Sequence, residues 1–128
     1  MALITYIVED SLTIRENLIS TLEEVSPVKV IAFAETEDQA GRWLAEHKSD
    51  WQLAIVDLFL KEGSGFGVLK SCQKRRAEQK VVILTNYATA DVRRRCAELG
   101  SDAVFDKCNE LEQLLDYCSQ VTPGDALH

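Results

Sequence analysis

Polar side chains that could do chemistry close or follow four short apolar runs in this sequence. Glu9 and Asp10 follow Leu3–Val8, Asp57 follows Ala54-Ile55-Val56, Thr85 follows Val81–Leu84, and Lys107 comes just after Ala103-Val104-Phe105. Short, β-branched apolar runs suit strands buried on both faces of a parallel sheet. A carboxylate just past such a strand sits where open α/β sheets bind ligands, outside the carboxyl ends of the strands. Each residue alone has a plainer role, because an Asp or Thr ending a strand caps a turn, paired acids open helices, and a Lys is usually solvated. Their joint delivery to one sheet edge is harder to reach by accident. Three carboxylates crowded there repel one another and raise each other's pKa values unless a cation intervenes. A hard divalent ion with oxygen ligands relieves that repulsion.

The elements that must position these groups are legible in chain order. Leu3–Val8 reads as a strand, and Ser11 as the N-cap of a helix with Ile14, Leu18, Leu22 and Val25 at helical spacing, stopped by Pro27. Val28–Phe33 is a second strand. Thr36 with Gln39 resembles a capping box opening a helix through Ala40, Trp43 and Leu44. Leu53–Val56 is the third strand, followed by a glycine-bearing loop from Lys61 to Gly65 and a helix carrying Phe66, Leu69 and Cys72. Val81–Leu84 is the fourth strand. Thr89 to Leu99 is helical and closes on Gly100. Ala103–Phe105 is a short fifth strand. Asn109 with Glu112 is expected to cap a last helix bearing Leu111, Leu114, Leu115, Cys118 and Val121, which Thr122-Pro123-Gly124 breaks. Five strands alternating with five helices imply a parallel sheet covered on both faces, with right-handed crossovers. The doubly wound, flavodoxin-like strand order 2-1-3-4-5 places a crevice between the strands that end at Glu9-Asp10 and at Asp57.

Composition narrows the function classes. A chain of 128 residues, 46% apolar and 27% charged, makes one domain that buries a core without disulfide or metal staples. Residues 1–121 are expected to form that domain and 122–128 a tail or linker. A net charge of -7 argues against direct nucleic-acid contact and fits cations or basic partners. Cys72, Cys96, Cys108 and Cys118 lack CxxC spacing and read as reduced thiols, and His47 and His128 are isolated, so no triad or His ligand set assembles. No apolar run reaches membrane-spanning length, and a cytoplasmic location is expected. Lys70, Lys74, Arg75 and Arg76, and separately Arg93 to Arg95, read as solvated helix faces.

From Leu3 to about Val121 the sequence resembles the receiver domain of two-component response regulators, the CheY-like superfamily. The residues that carry the resemblance are Glu9-Asp10, Asp57, Thr85 and Lys107. The resemblance implies Mg²⁺, held by Asp10 directly, Glu9 through water, Asp57, and the backbone carbonyl of Phe59. It implies Asp57 as nucleophile and phosphoacceptor, with Lys107 neutralising the transferring charge and Thr85 hydrogen-bonding the attached phosphoryl group. It implies a histidine kinase or phosphotransfer protein as donor, and no catalysis beyond the domain's own phosphorylation and dephosphorylation. A face made of helix four, strand five and helix five is then the expected surface for a partner or homodimer.

The sequence departs from the family pattern in places. The position three before Lys107, usually an aromatic switch residue, is Val104. Phe105 points to the opposite face by strand alternation, and Tyr87 is the nearest replacement. Output is therefore expected to run through the loop Asn86 to Thr89. Cys108 stands where many receivers have proline, so a trans bond is expected there. No effector segment follows Val121 in this sequence, so output is expected through protein contact. The alternative is a piece of a helix-turn-helix transcription regulator, which the Gly63-Ser64-Gly65 loop resembles. A non-phosphorylated receiver-like binding module is a further alternative, and Mg²⁺ binding discriminates it. A phosphatase would need a general acid at Phe59, which cannot serve.

Overall fold

A computed structural model describes residues 2–121; the expected break at Thr122-Pro123-Gly124 and the tail 122–128 lie outside the described residues. Strands and helices alternate as β1 (Leu3–Val8), α1 (Leu12–Val25), β2 (Val28–Ala34), α2 (Glu37–Glu46), β3 (Leu53–Val56), α3 (Gly65–Ser71), β4 (Lys80–Thr85), α4 (Ala90–Glu98), β5 (Ala103–Asp106) and α5 (Leu111–Gln120). The strands form one parallel sheet in the order β2-β1-β3-β4-β5, which is the expected order. Crossover helices cover both faces, so the central strands are buried on both sides and are made mostly of apolar residues. All four residues of β3 are buried.

Strand alternation divides the core in two. Tyr6, Val8, Ala54, Val56, Val81 and Ile83 face α2, α3 and α4. Leu3, Ile7, Leu53, Ile55, Val82 and Leu84 face α1 and α5 through Leu18, Leu22, Leu114 and Cys118. The buried stripe of α1 is Arg15, Leu18 and Leu22, not the expected set starting at Ile14 and ending at Val25, both of which are exposed. Among the described residues no helix is long and apolar enough to cross a membrane, and the four cysteines are free thiols.

Caps mostly follow the sequence. Ser11 accepts the Ile14 N–H, and Thr89 accepts that of Val92. Thr36 accepts the Gln39 N–H, while the Gln39 side chain takes the N–H of Glu35, one residue before the cap. Gly100 ends α4 with φ +103°, a conformation that suits glycine. The expected Asn109–Glu112 cap of α5 does not form. Glu110 is the N-cap residue and makes no side-chain cap bond. Instead Asp106, at the end of β5, accepts the N–H groups of Cys108 (2.8 Å) and Asn109 (3.1 Å), and Glu110 accepts the Asp106 N–H (2.9 Å). The carboxylate at the strand end thus organises the turn ahead of α5, and the helix starts behind Glu110.

Two arginines expected on solvated faces are structural ties. Arg75 donates to the carbonyls of Gln79, Cys72 and Gly100 and to the Asp102 carboxylate, fastening the end of α3 to the turn before β5. Arg93 reaches the Ala88 carbonyl (3.0 Å), the Val104 carbonyl (3.1 Å) and Glu110 (2.6 Å), so it joins the loop after β4 to β5 and to the start of α5. Both guanidiniums present several donors in a rigid fork, which suits carbonyl-rich turns better than an ammonium would.

Candidate functional site

Parallel topology brings the carboxyl ends of β1, β3, β4 and β5 to one edge, and the predicted residues arrive there together. Glu9 is 3% exposed and Asp57 7% exposed, while Asp10 is half-buried. Each carboxylate of Glu9, Asp10 and Asp57 offers one oxygen within 4.8 Å of the others. Backbone pairing fixes this edge, since the Asp57 N–H donates to the Val8 carbonyl and the Glu9 N–H to that of Ala34.

Lys107 bridges the acids, with Nζ 2.7 Å from a Glu9 oxygen and 3.3 Å from an Asp57 oxygen. The other Glu9 oxygen accepts the Ser11 N–H at 3.1 Å. These contacts set the electrostatics. Burial pushes the Asp57 carboxyl up to about 6; Lys107 pulls against that shift, and Glu9 adds to it. Burial works against the Lys107 ammonium, but its hydrogen bond to Glu9 and the charges of Asp57 and Glu9 outweigh burial and raise its pKa. The site therefore stores repulsion between carboxylates that one ammonium only partly relieves, the condition under which a small, hard cation binds oxygen donors well.

Thr85 is fully buried at the end of β4 and accepts the Tyr87 N–H at 3.1 Å, which leaves its own O–H to donate. The Lys107 N–H donates to the Thr85 carbonyl, so strand pairing ties the hydroxyl and the ammonium to each other. The Phe59 N–H hydrogen-bonds the Asp57 carboxylate, while its ring is 53% exposed and meets Tyr87 edge to face at 5.0 Å. The remaining predicted switch residues stay away from the acids. Val104 packs on the α4 side of the sheet, and Phe105 packs on the α5 side against Tyr117. No cis peptide occurs among the described residues, so the Lys107–Cys108 bond is trans.

Two residues support the site in ways that sequence reasoning did not assign to them. Gly65 abuts the backbone of the phosphoacceptor candidate: a Cβ there would lie 2.2 Å from the Asp57 carbonyl oxygen. Gly65→Ala must displace backbone, because no flexible side-chain end is available to yield. We expect it to lower stability by about 1–3 kcal/mol, in the range of overpacked sites, and chemical denaturation would measure this; an unchanged midpoint would refute the contact. Arg15 is the second, buried behind Glu9 with its Nη1 2.8 Å from the Glu9 carbonyl. The available signal was its i, i+3, i+7 spacing with Leu18 and Leu22, which put a charge on the apolar stripe.

Comparison with known proteins agrees with this geometry. The family model for the response regulator receiver domain matches residues 5–119. The transcriptional regulatory protein CiaR of Streptococcus pneumoniae is 29% identical over 108 residues, covering 84% of this chain and 46% of that protein. The chain spans about half the length of the curated relatives it matches. Among solved structures, the non-phosphorylated HemR receiver domain from Leptospira biflexa superposes with a TM-score of 0.78 at 27% identity, covering 93% of each chain. A LuxR-family DNA-binding response regulator from Staphylococcus aureus reaches a TM-score of 0.80 at 19% identity, covering 93% of this chain and 98% of that one.

Proposed function

This chain belongs to the response regulator receiver domain family, and on that premise we propose that it accepts a phosphoryl group on Asp57 and switches a protein-contact surface in response. The observation that supports this most is the set of three convergent carboxylates, Glu9, Asp10 and Asp57, with Lys107 held between two of them. All the donors are hard oxygens, which suit Mg²⁺. Asp10 would hold it directly, Glu9 through water, and Asp57 and the Phe59 carbonyl would complete the protein ligands. Bound there, the ion supplies charge neutralisation for the transferring phosphoryl group.

The chain's own residues do the rest. An Asp57 oxygen attacks phosphorus and forms an acyl phosphate. The bond from phosphorus to the donor, a histidine nitrogen in a kinase or phosphotransfer protein, breaks with its electron pair going to the donor. Lys107 holds its ammonium against the developing negative charge, and Thr85 donates its hydroxyl to a phosphoryl oxygen. The phosphoryl group ends on the domain itself, which is therefore the product of the transfer and not a catalyst that turns over.

Output follows from what phosphorylation pulls. Thr85 accepts the Tyr87 N–H, and the loop beyond is tied through Ala88 to Arg93, Val104 and Glu110. Movement at Thr85 is therefore passed to the α4–β5–α5 face without an aromatic at position 104, and that face is where we place a partner or a second copy. The length of the relatives favours a second reading of the output, in which this domain is one part of a longer transcription regulator with a helix-turn-helix effector. Intact mass after incubation with Mg²⁺ and acetyl phosphate tests the phosphoryl reading. One adduct that disappears in excess EDTA is expected, and its absence at saturating Mg²⁺ would remove phosphorylation from the account.

A further inference from the structure

We propose that Arg15 is a positioning residue for the cation site of Glu9, Asp10 and Asp57, an inference that rests on the receiver reading. Arg15 is 4% exposed, an unusual place for a charge on a surface helix. Burying a guanidinium is costly unless its donors are satisfied, and here one nitrogen serves two acceptors. Nη1 lies 2.8 Å from the backbone carbonyl of Glu9 and 3.0 Å from the Glu35 carboxylate. The guanidinium carbon sits 4.0 Å above the Phe33 ring. Three separate segments, the end of β1, the end of β2 and the β2–α2 turn, thus converge on one side chain of α1.

The carbonyl that Arg15 holds belongs to the peptide joining Glu9 to Asp10. That peptide is planar, so anchoring its oxygen fixes the plane and the N–Cα bond of Asp10, the base from which its side chain departs. Arg15 reaches the site through this backbone atom, and its guanidinium makes no hydrogen bond or ion pair with the carboxylates of Glu9, Asp10 or Asp57. Its role is to hold two acids in register with Asp57, as outer partners do around ligating groups.

The sign of the effect separates this role from simple electrostatics. A positive charge behind a cation site repels the cation, so through space alone the loss of Arg15 would tighten Mg²⁺ binding. Loss of positioning weakens it instead. The experiment is a direct calorimetric titration of the full chain with Mg²⁺ for wild type, Arg15→Gln, Arg15→Lys and Phe33→Leu, with thermal melting in EDTA alongside. Arg15→Gln is expected to bind Mg²⁺ about tenfold or more weakly, in the range of outer-partner substitutions, and Arg15→Lys to recover part of the loss. Phe33→Leu is charge-neutral on a half-exposed side chain, and it loosens the seat of the guanidinium. A several-fold weakening is expected there, so it carries the test even if Arg15→Gln fails to fold. Unchanged or tighter Mg²⁺ binding in the folded variants overturns the proposal, including when their melting temperatures fall. A wild-type chain that takes up no Mg²⁺ sinks the receiver reading and the Arg15 role with it, whereas wild-type uptake with unaffected variants sinks the Arg15 role alone.

Discussion

Asp57→Asn is expected to abolish the phosphoryl adduct and, in the same protein, to raise the stability of the metal-free fold at neutral pH. The first effect follows from chemistry. An amide lacks the anionic lone pair that attacks phosphorus, and of the two acids that remain, Glu9 is held by Lys107 and by the Ser11 N–H. The second effect follows from linkage. The Asp57 carboxyl sits near 6 in the fold, above its ordinary 3.8, chiefly through burial. The folded state therefore holds this proton more tightly than the unfolded chain does. Stability contributed by Asp57 is highest below the ordinary value, falls as pH rises through 4 to 6, and is fully lost above that window. A neutral isostere removes the cost, on the order of 1–3 kcal/mol for a shift of this size, while Lys107 keeps Glu9 at 2.7 Å. Melting in EDTA at pH 7.5 should favour the variant by several degrees, and the gap should close towards pH 4. Equal or lower stability of the variant at pH 7.5 would refute the account of a strained charge. An adduct that persists in the variant would refute Asp57 as acceptor. A group that costs stability yet cannot be removed without losing the reaction is what a site under functional demand looks like.

The parts of this molecule that were legible in its sequence are those set by local pattern. The β-branched run of β3, the glycine after α4, and the Ser11 and Thr89 caps each depend on neighbours within a few residues. Their consequences reach further: once five βα units are recognised, topology alone brings Lys107 to Glu9 across 98 positions of chain. What stayed hidden depends on where side chains meet after folding. Arg75 and Arg93 look like any exposed charge until a turn 25 residues away and a strand 11 residues away present their carbonyls. The start of α5 differs from the sequence expectation because Asp106, a residue that ends a strand, binds the N–H groups of Cys108 and Asn109 in the turn, and the helix begins one residue later, behind Glu110. Arg15 was missed for a related reason. A hydrophobic stripe is drawn by ignoring charges, and here the stripe includes one whose partners lie on two other elements.

A phosphoryl group on Asp57 is expected to last much longer than in a variant with Phe59 and Tyr87 both changed to Asn. Hydrolysis of an acyl phosphate needs a water in line with the Asp57 oxygen–phosphorus bond, and a neighbouring polar group helps to orient that water. Phe59 and Tyr87 stand two residues beyond Asp57 and Thr85, and their rings pack edge to face at 5.0 Å. They remain 53% and 60% exposed, so they form a cover at the mouth of the site and not part of the core. The Phe59 ring offers water no hydrogen-bonding group and Tyr87 offers only its terminal hydroxyl, and together the rings stand over the approach. Opening that approach should shorten the lifetime about tenfold or more, about 1.4 kcal/mol or more of barrier. The change is confined to side chains: the Phe59 N–H that hydrogen-bonds Asp57 belongs to the backbone and is retained. Adduct formation from acetyl phosphate should therefore proceed at a similar rate, and only its decay should quicken. The rings support one another, so either single substitution should release the second ring and yield most of the effect, a non-additive pattern typical of contacting residues. The decay of the adduct after donor removal, followed by intact mass, reads this directly. Equal lifetimes in wild type and double variant would show that water reaches phosphorus by another path, and the aromatic pair would then have no part in timing the signal.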